Sequence, residues 1–328
     1  MSYGIPYVGS KNIYAKYVCC ALPHGNRLVD LFAGGCAITD CALKLYPYKW
    51  NSYLINDVDI RPITLYKDCF DGKYTPSYKW LSREDFEKTE DWTTRLIWSF
   101  GSKLKTYIYG KDIEPYKHDI HEWVTNNKRT SYSNILEGIE LPELNSIEER
   151  YSYWLSIKGQ LEKAFSKNLQ LQHFQSLYRL NSIERELRLA KLSKLEIETV
   201  AKLKSIKNDK AKGCNQNNFK QLSLFNTEEE SVNKVKLDLT NNSYLDYEYQ
   251  DGDVVYCDIP YYQTSCSQYE RSSFNHEEFW DWARSRPFDV YVSERIVPDD
   301  AKIVFEHKVQ NRLSNLNNGF KTEYLVKL

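Results

Sequence analysis

The stretch Val254-Val255-Tyr256-Cys257-Asp258-Ile259-Pro260-Tyr261-Tyr262 ends an apolar run on a carboxylate, a proline and two phenols. A short apolar run of this kind reads as a buried strand. In an open α/β sheet the ligand crevice lies outside the carboxyl ends of the strands, so Asp258 would point into it. Pro260 fixes one backbone angle and removes an N–H donor, leaving neighbouring carbonyls free to accept hydrogen bonds. Tyr261 offers a ring face on which a planar group could stack. Two adjacent acceptors, a carboxylate and a carbonyl, suit an NH2 group on a heteroaromatic ring. Such an amine is a poor nucleophile, and holding both its hydrogens raises electron density on nitrogen as it attacks.

Two further constellations stand near the N-terminus. "VDLFAGG" (29–35) followed by "LIND" (54–57) combines a glycine turn with an acidic strand end. The turn brings backbone close to a ligand and opens a helix N-terminus, and Asp57 is placed to accept both hydroxyls of a ribose. The dinucleotide fingerprint GxGxxG is absent, which favours a nucleoside ligand without a pyrophosphate. "YVGSKN" (7–12) is a Gly-Ser turn running toward a helix, with Lys11 predicted in its first turn. A lysine there opposes the helix dipole, so it is better explained as a ligand group than as a helix former.

The elements that must position these residues alternate. A helix over 12–22, a strand over 27–32, a helix over 36–46, a strand over 52–57 and a helix over 60–70 together make a βαβ unit, the start of a doubly wound sheet. From about residue 70 the character changes. Trp80, Trp92, Trp98 and Trp123 are interleaved with Lys and Arg, and a leucine-rich helical arm follows over about 147–206. The α/β pattern returns with a strand over 253–258, a helix over 275–285 with Asn275 as its cap, a strand over 289–294 and closing strands over 302–309 and 322–328. The predicted organisation is a discontinuous domain, 1–70 and 236–328, interrupted by an inserted region at 71–235.

Composition narrows the class without deciding it. The chain has 328 residues, 27% charged and 41% hydrophobic, which suits a soluble globular protein. The net charge of −1 means that any nucleic-acid surface must be a local patch. Eight cysteines without a CxxC pair fit neither a zinc site nor a small disulfide framework, and no metal is expected. The N-terminus lacks a signal-peptide pattern and no apolar run is long enough for a membrane span, so a cytoplasmic protein is expected.

In order along the chain, "PYVGSK", "VDLFAGG", "NDVDIRPITLYK" and "DIPYY" resemble the motifs of the Dam-type (D12 class, α group) DNA adenine N6-methyltransferases, a bacterial and bacteriophage family. "DIPYY" stands where the family has DPPY, and "VSE" and "EYLVKL" fit its later strands. The resemblance implies a Rossmann-like S-adenosylmethionine-dependent mixed sheet with helices on both faces. It also implies a mostly helical target-recognition insertion. By the same resemblance, Tyr7, Gly9 and Lys11 contact the methionine end of S-adenosylmethionine, Asp30, Phe32 and Gly34 form its pocket, and Asp57 binds the ribose. Asp258, the carbonyl of Ile259, Pro260 and Tyr261 hold a flipped-out adenine, with Asp258 also facing the cofactor. Methyl transfer is then direct, without a covalent enzyme intermediate.

Two departures from the family stand out. Cys36 replaces a second glycine, and Ile259 replaces the first proline of DPPY. The Ile259 carbonyl survives that change; what is lost is backbone rigidity, on the order of 1 kcal/mol of preorganisation. Double-stranded DNA is the implied partner. Lys103, Lys105, Lys111, Lys117, Lys128, Arg129 and Arg271 are the expected phosphate contacts. The arm at 147–206 is expected to be an amphipathic helical pair or coiled arm packing on itself, with a dimer or partner element as the alternative. The alternatives are an N4-cytosine or RNA amino-methyltransferase, which the same grip on an NH2 would serve, and a non-catalytic DNA-binding relative.

Overall fold

The computed structural model describes residues 2–130, 136, 138–160, 179–192, 194–211, 234–261, 274–310 and 320–328. The chain divides into two compact units, Met1–Tyr74 with Leu192–Leu328, and Thr75–Lys191.

The first unit is built on a seven-stranded mixed sheet in the order β3-β2-β1-β4-β5-β7-β6. Its strands are β1 (Arg27–Asp30), β2 (Ser52–Asn56), β3 (Lys236–Thr240), β4 (Asp253–Cys257), β5 (Val290–Glu294), β6 (Lys302–Gln310) and β7 (Phe320–Lys327). The first five named run parallel to one another, and β7 runs antiparallel between β5 and β6. The edge strand β3 was not legible in the sequence: "KLDLT" has one buried residue, Leu237, and carries polar groups on both sides of it.

Register decides what meets at the carboxyl edge. Asp30 pairs with Ile55 on one side and Tyr256 on the other, so β1, β2 and β4 end level. Cys257 pairs with Val292, which brings the end of β5 into line. Glu294 pairs with Tyr324 of the antiparallel β7, so the early residues of β7 reach the same edge. The core of this face packs Val29, Leu31, Val255, Cys257, Ile259 and Val292 against Phe279, Trp280 and Trp282.

The helices of this unit are α1 (Ala15–Ala21), α2 (Ala37–Leu45), α3 (Ile60–Phe70), α9 (Leu195–Ala211) and α10 (His276–Arg284). Local chemistry sets their ends. Asp59 caps α3 by accepting the Arg61 N–H, and Asn275 caps α10 by accepting the Glu278 N–H. Glu277 and Glu278 in the first turn of α10 and Arg284 in its last complement the helix dipole.

The second unit contains α4 (Arg83–Lys88), α5 (Trp92–Trp98), α6 (Glu114–Asn126), α7 (Ile147–Ser156) and α8 (Asn181–Leu192). Ile120, Trp123, Tyr151, Trp154, Leu180 and Ile183 form its apolar core. The stretch expected as one helical arm is therefore divided. The apolar positions of α7 and α8 are used inside this core, while α9 belongs to the first unit, where the Thr199 hydroxyl donates to the Leu43 carbonyl of α2. No described helix is long and apolar enough to cross a membrane.

Candidate active site

Lys11 does not sit in a helical first turn. Its carbonyl accepts from the Tyr14 and Ala15 N–H groups, so it lies ahead of α1, and its side chain turns into the sheet edge, where it is 6% exposed. The Nζ is 2.9 Å from Asp258 Oδ1 and 2.7 Å from Glu323 Oε1, and 3.9 Å from the centroid of the Tyr261 ring. Asp258 follows β4 directly, Glu323 lies on β7, and Tyr261 closes the turn after β4. The Tyr261 hydroxyl donates to Glu323. Burial and then Glu323 push the Tyr14 hydroxyl up to about 12. One ammonium thus bridges two carboxylates, and the second carboxylate gathers two phenols.

Burial lifts the Asp258 carboxyl to about 6, against the lowering pull of Lys11, with Glu323 and Glu294 adding to the rise. A group poised near 6 is ionised at neutral pH yet pays a desolvation penalty for its charge, the usual condition of a functional carboxylate. Glu323 is the principal residue that the motifs missed. The signal was present: "TEYLVKL" alternates, and Glu323 stands on the same side of the strand as the buried Leu325.

The turn that carries Ile259 is held from two directions. The Ile259 side chain is buried in the core under α10. The Pro260 carbonyl lies 2.7 Å from His276 Nε2, and since a carbonyl can only accept, that nitrogen carries the proton. His276, expected only as a first-turn residue of a capped helix, therefore ties α10 to the turn. The rigidity lost with the missing proline is supplied in part by these contacts.

The glycine turn forms the other half of the edge. Asp57 accepts the Gly34 N–H through Oδ2 at 2.8 Å and the Asp59 N–H through Oδ1 at 2.9 Å. Burial raises its pKa while these backbone donors lower it. Gly34 has φ +45° and faces the Tyr7 ring; a side chain at Gly35 would collide with Tyr7 Cβ. Gly9 has φ +79° in the turn that precedes Lys11. Cys36 adopts φ +57°, the left-handed conformation that favours glycine, and is fully buried. The departure at position 36 thus keeps a glycine-like backbone with a thiol filling the space. Phe32 packs edge-on to Phe274 and Phe279 and tilted against Tyr244.

Asp30 lies deeper, 1% exposed, and accepts the Thr39 hydroxyl at 3.0 Å. Burial lifts it to about 7; Asp258 and Asp57 add to the rise and Thr39 opposes it. Its folded pKa exceeds the ordinary 3.8, so its protonation stabilises the fold fully at low pH, and that stability is lost as pH rises from about 4 to 7. Asp30→Asn is expected to raise stability above pH 7, by at most about 4 kcal/mol, and to flatten the decline between pH 4 and 7. Denaturant melts at pH 5 and pH 8 check this; equal effects at both would refute it.

In the second unit, Lys103, Lys105, Lys111, Lys128 and Arg129 are exposed. Lys117 is not: it is 1% exposed, donates to the Arg179 carbonyl, and desolvation lowers it to about 7. Its place on the inner face of α6 removes it from the phosphate contacts. Trp98 and Trp123 are likewise buried, and Trp80 packs against Trp98, Tyr109, His118 and His121, so these rings build the core of the unit instead of a stacking surface. Arg271 lies outside the described residues.

Residues 7–96 match the family model of the D12 class N6 adenine-specific DNA methyltransferases. This segment of the chain is D12 class. The match takes in Tyr7, Gly9, Lys11, Asp30, Phe32, Gly34 and Asp57 and ends before Asp258. It assigns DNA adenine methyltransferase activity, dependent on S-adenosylmethionine as is general for such enzymes. The mixed seven-stranded sheet with its helices is accordingly an α/β Rossmann-like methyltransferase fold. A search of curated proteins finds no match.

Proposed function

We propose that the D12-class chain transfers a methyl group from S-adenosylmethionine directly to the N6 amino group of an adenine flipped out of double-stranded DNA. The observation that carries this is the bridge from Lys11 to Asp258 and Glu323, which joins the N-terminal motif to the turn after β4. The residues at the carboxyl edge fit the cofactor. Asp57 presents a buried carboxylate whose oxygens each hold one backbone N–H and have lone pairs to spare for a ribose diol. Gly35 tolerates no added bulk against Tyr7, and Gly34 holds a positive φ of +45° beside the same ring. Lys11 has a third N–H beyond the two that its carboxylates take, and Tyr7 and Gly9 stand at the same turn, at the methionine end. Asp30, below this turn, and Phe32 complete the pocket.

Bound S-adenosylmethionine would supply the methyl group as an electrophilic sulfonium carbon and leave as the neutral thioether, and the proton shed by the methylated amine would pass to solvent. Asp258 accepts one amino hydrogen and the Ile259 carbonyl accepts the other, which draws the nitrogen lone pair out of conjugation with the ring. Pro260 and Tyr261 shape the pocket wall. The second unit contributes target recognition, with Lys103, Lys105, Lys111, Lys128 and Arg129 contacting phosphates and Arg271 doing so from the segment after the catalytic turn.

The decisive test is to incubate the protein with unmethylated DNA and S-adenosylmethionine, digest to nucleosides and measure methylated bases by mass spectrometry. N6-methyladenine is expected. N4-methylcytosine would move the chemistry to the sister reaction, and cofactor binding without any methylated base would overturn the catalytic reading.

The pH profile follows from Asp258. The residue must be ionised to face the amine with acceptors alone and to offset the positive charge that develops on nitrogen, and its carboxyl titrates at about 6 among Lys11, Glu323 and Glu294. kcat/KM is expected to fall about tenfold per unit as pH drops below about 6, since it reports the free enzyme. A profile flat from pH 7 to 5 would exclude Asp258 as the acceptor.

A further inference from the structure

Arg295 follows β5 at the carboxyl edge, next to Glu294, whose Oε1 accepts the Arg295 backbone N–H at 2.6 Å. Its guanidinium carbon lies 4.5 Å from the centroid of the Tyr261 ring, the same ring that Lys11 Nζ approaches to 3.9 Å. Its Nε is buried and hydrogen-bonds to nothing among the described residues. A buried donor without an acceptor is costly, and native proteins keep few of them. The carboxylates at this edge do not relieve it: Asp258 holds Lys11, Glu323 holds Lys11 and Tyr261, and Glu294 holds the backbone N–H of Arg295 and not its Nε. Contact with the tyrosine ring restrains the guanidinium at the site while this N–H stays unused.

We propose that Arg295 is a base-reading residue, whose Nε–H donates to the ring-nitrogen acceptor beside the amino group that Asp258 holds. This rests on the adenine-methylation reading above and adds a specificity determinant to it. In adenine the amino-bearing carbon is flanked by acceptors on both sides, N1 within the ring and N7 across the fused edge. On the N1 side guanine and thymine carry a carbonyl with an N–H beside it, which would meet Arg295 donor to donor; on the N7 side guanine keeps an acceptor, so there the contact excludes thymine alone. A site built around a required hydrogen bond rejects analogues lacking it far more strongly than an apolar pocket rejects a shape.

Synthetic duplexes carrying the methylated sequence test this, with the target adenine replaced by 1-deazaadenine or 7-deazaadenine. The wild type is expected to lose about 10–100-fold in kcat/KM on one of the two analogues, which identifies the nitrogen read. Arg295→Met, which keeps an apolar stem over Tyr261 without the donor, is expected to show a comparable loss on normal DNA and no further loss on that analogue. Cofactor binding and melting temperature should match the wild type; Arg295→Lys serves as the second variant if Arg295→Met does not fold. Equal sensitivity of wild type and variant to both analogues would overturn the proposal. So would a loss confined to KM for DNA with a reduced salt dependence, which marks a phosphate contact. Failure of the wild type to methylate the unmodified duplex would instead overturn the parent reading, and this inference with it.

Discussion

Asp258→Asn is expected to lower methyl transfer by about 10³-fold or more while leaving cofactor affinity within a few-fold of the wild type. The amide keeps the shape but replaces a two-oxygen acceptor by one carbonyl and one NH2. It also removes the negative charge that supports the amine as nitrogen becomes positive. The fold should hold, because Lys11 retains Glu323 at 2.7 Å and burial of an ionised Asp258 is itself unfavourable. Single-turnover transfer of a labelled methyl group, with calorimetric titration of the cofactor, separates the two effects. Activity within tenfold of the wild type would remove Asp258 from the chemistry. Equal loss of cofactor binding would make it a binding residue.

The largest stability effect belongs to Lys11→Met. Without the ammonium, Asp258 and Glu323 face each other with no positive partner between them. Breaking a buried pair by removing one member costs about 3–5 kcal/mol. For a chain of this size that corresponds to a fall of roughly 4–7 °C in Tm. The sign of the pH dependence is fixed. Asp258, which burial already lifts to about 6, loses the charge that pulled it down, so its folded pKa rises further above the unfolded one. Stability in the variant is then highest at low pH and lost as pH climbs from about 4 through the raised value. The deficit relative to wild type is expected to shrink at pH 5 and widen at pH 8 in thermal melts. Adding Glu323→Gln to Lys11→Met should restore most of the Tm without restoring activity, because Asp258 still lacks its partner. A deficit independent of pH, or no rescue by the second change, would show that Lys11 acts through packing alone.

Much of this fold is legible in order along the chain. The βαβ start, the strand before Asp258, the helix capped by Asn275 and the closing strands all follow from local apolar pattern and cap chemistry, which are short-range properties. Strand β3 escaped because an edge strand with one buried residue has no strong period. The division of 147–206 escaped because amphipathic spacing shows that a face is buried but not which surface buries it. Lys117 shows the same limit: a lysine in a basic stretch looks solvated until α6 turns it inward onto the Arg179 carbonyl.

The sequence by itself determined the chemical types at the carboxyl edge: a lysine after a glycine turn, a carboxylate at the end of β2, and a carboxylate, proline and tyrosine after β4. It determined them because each belongs to a short motif whose meaning is local. Only the tertiary structure decided that Lys11 bridges Asp258 to Glu323, that His276 fixes the Pro260 carbonyl, and that Arg295 lies over Tyr261 with a donor unused. Glu323 lies more than 300 residues from Lys11 in the chain and reaches it because β7 runs antiparallel beside β5. That contact is set by strand register, a property of pairing across the sheet that no single segment encodes.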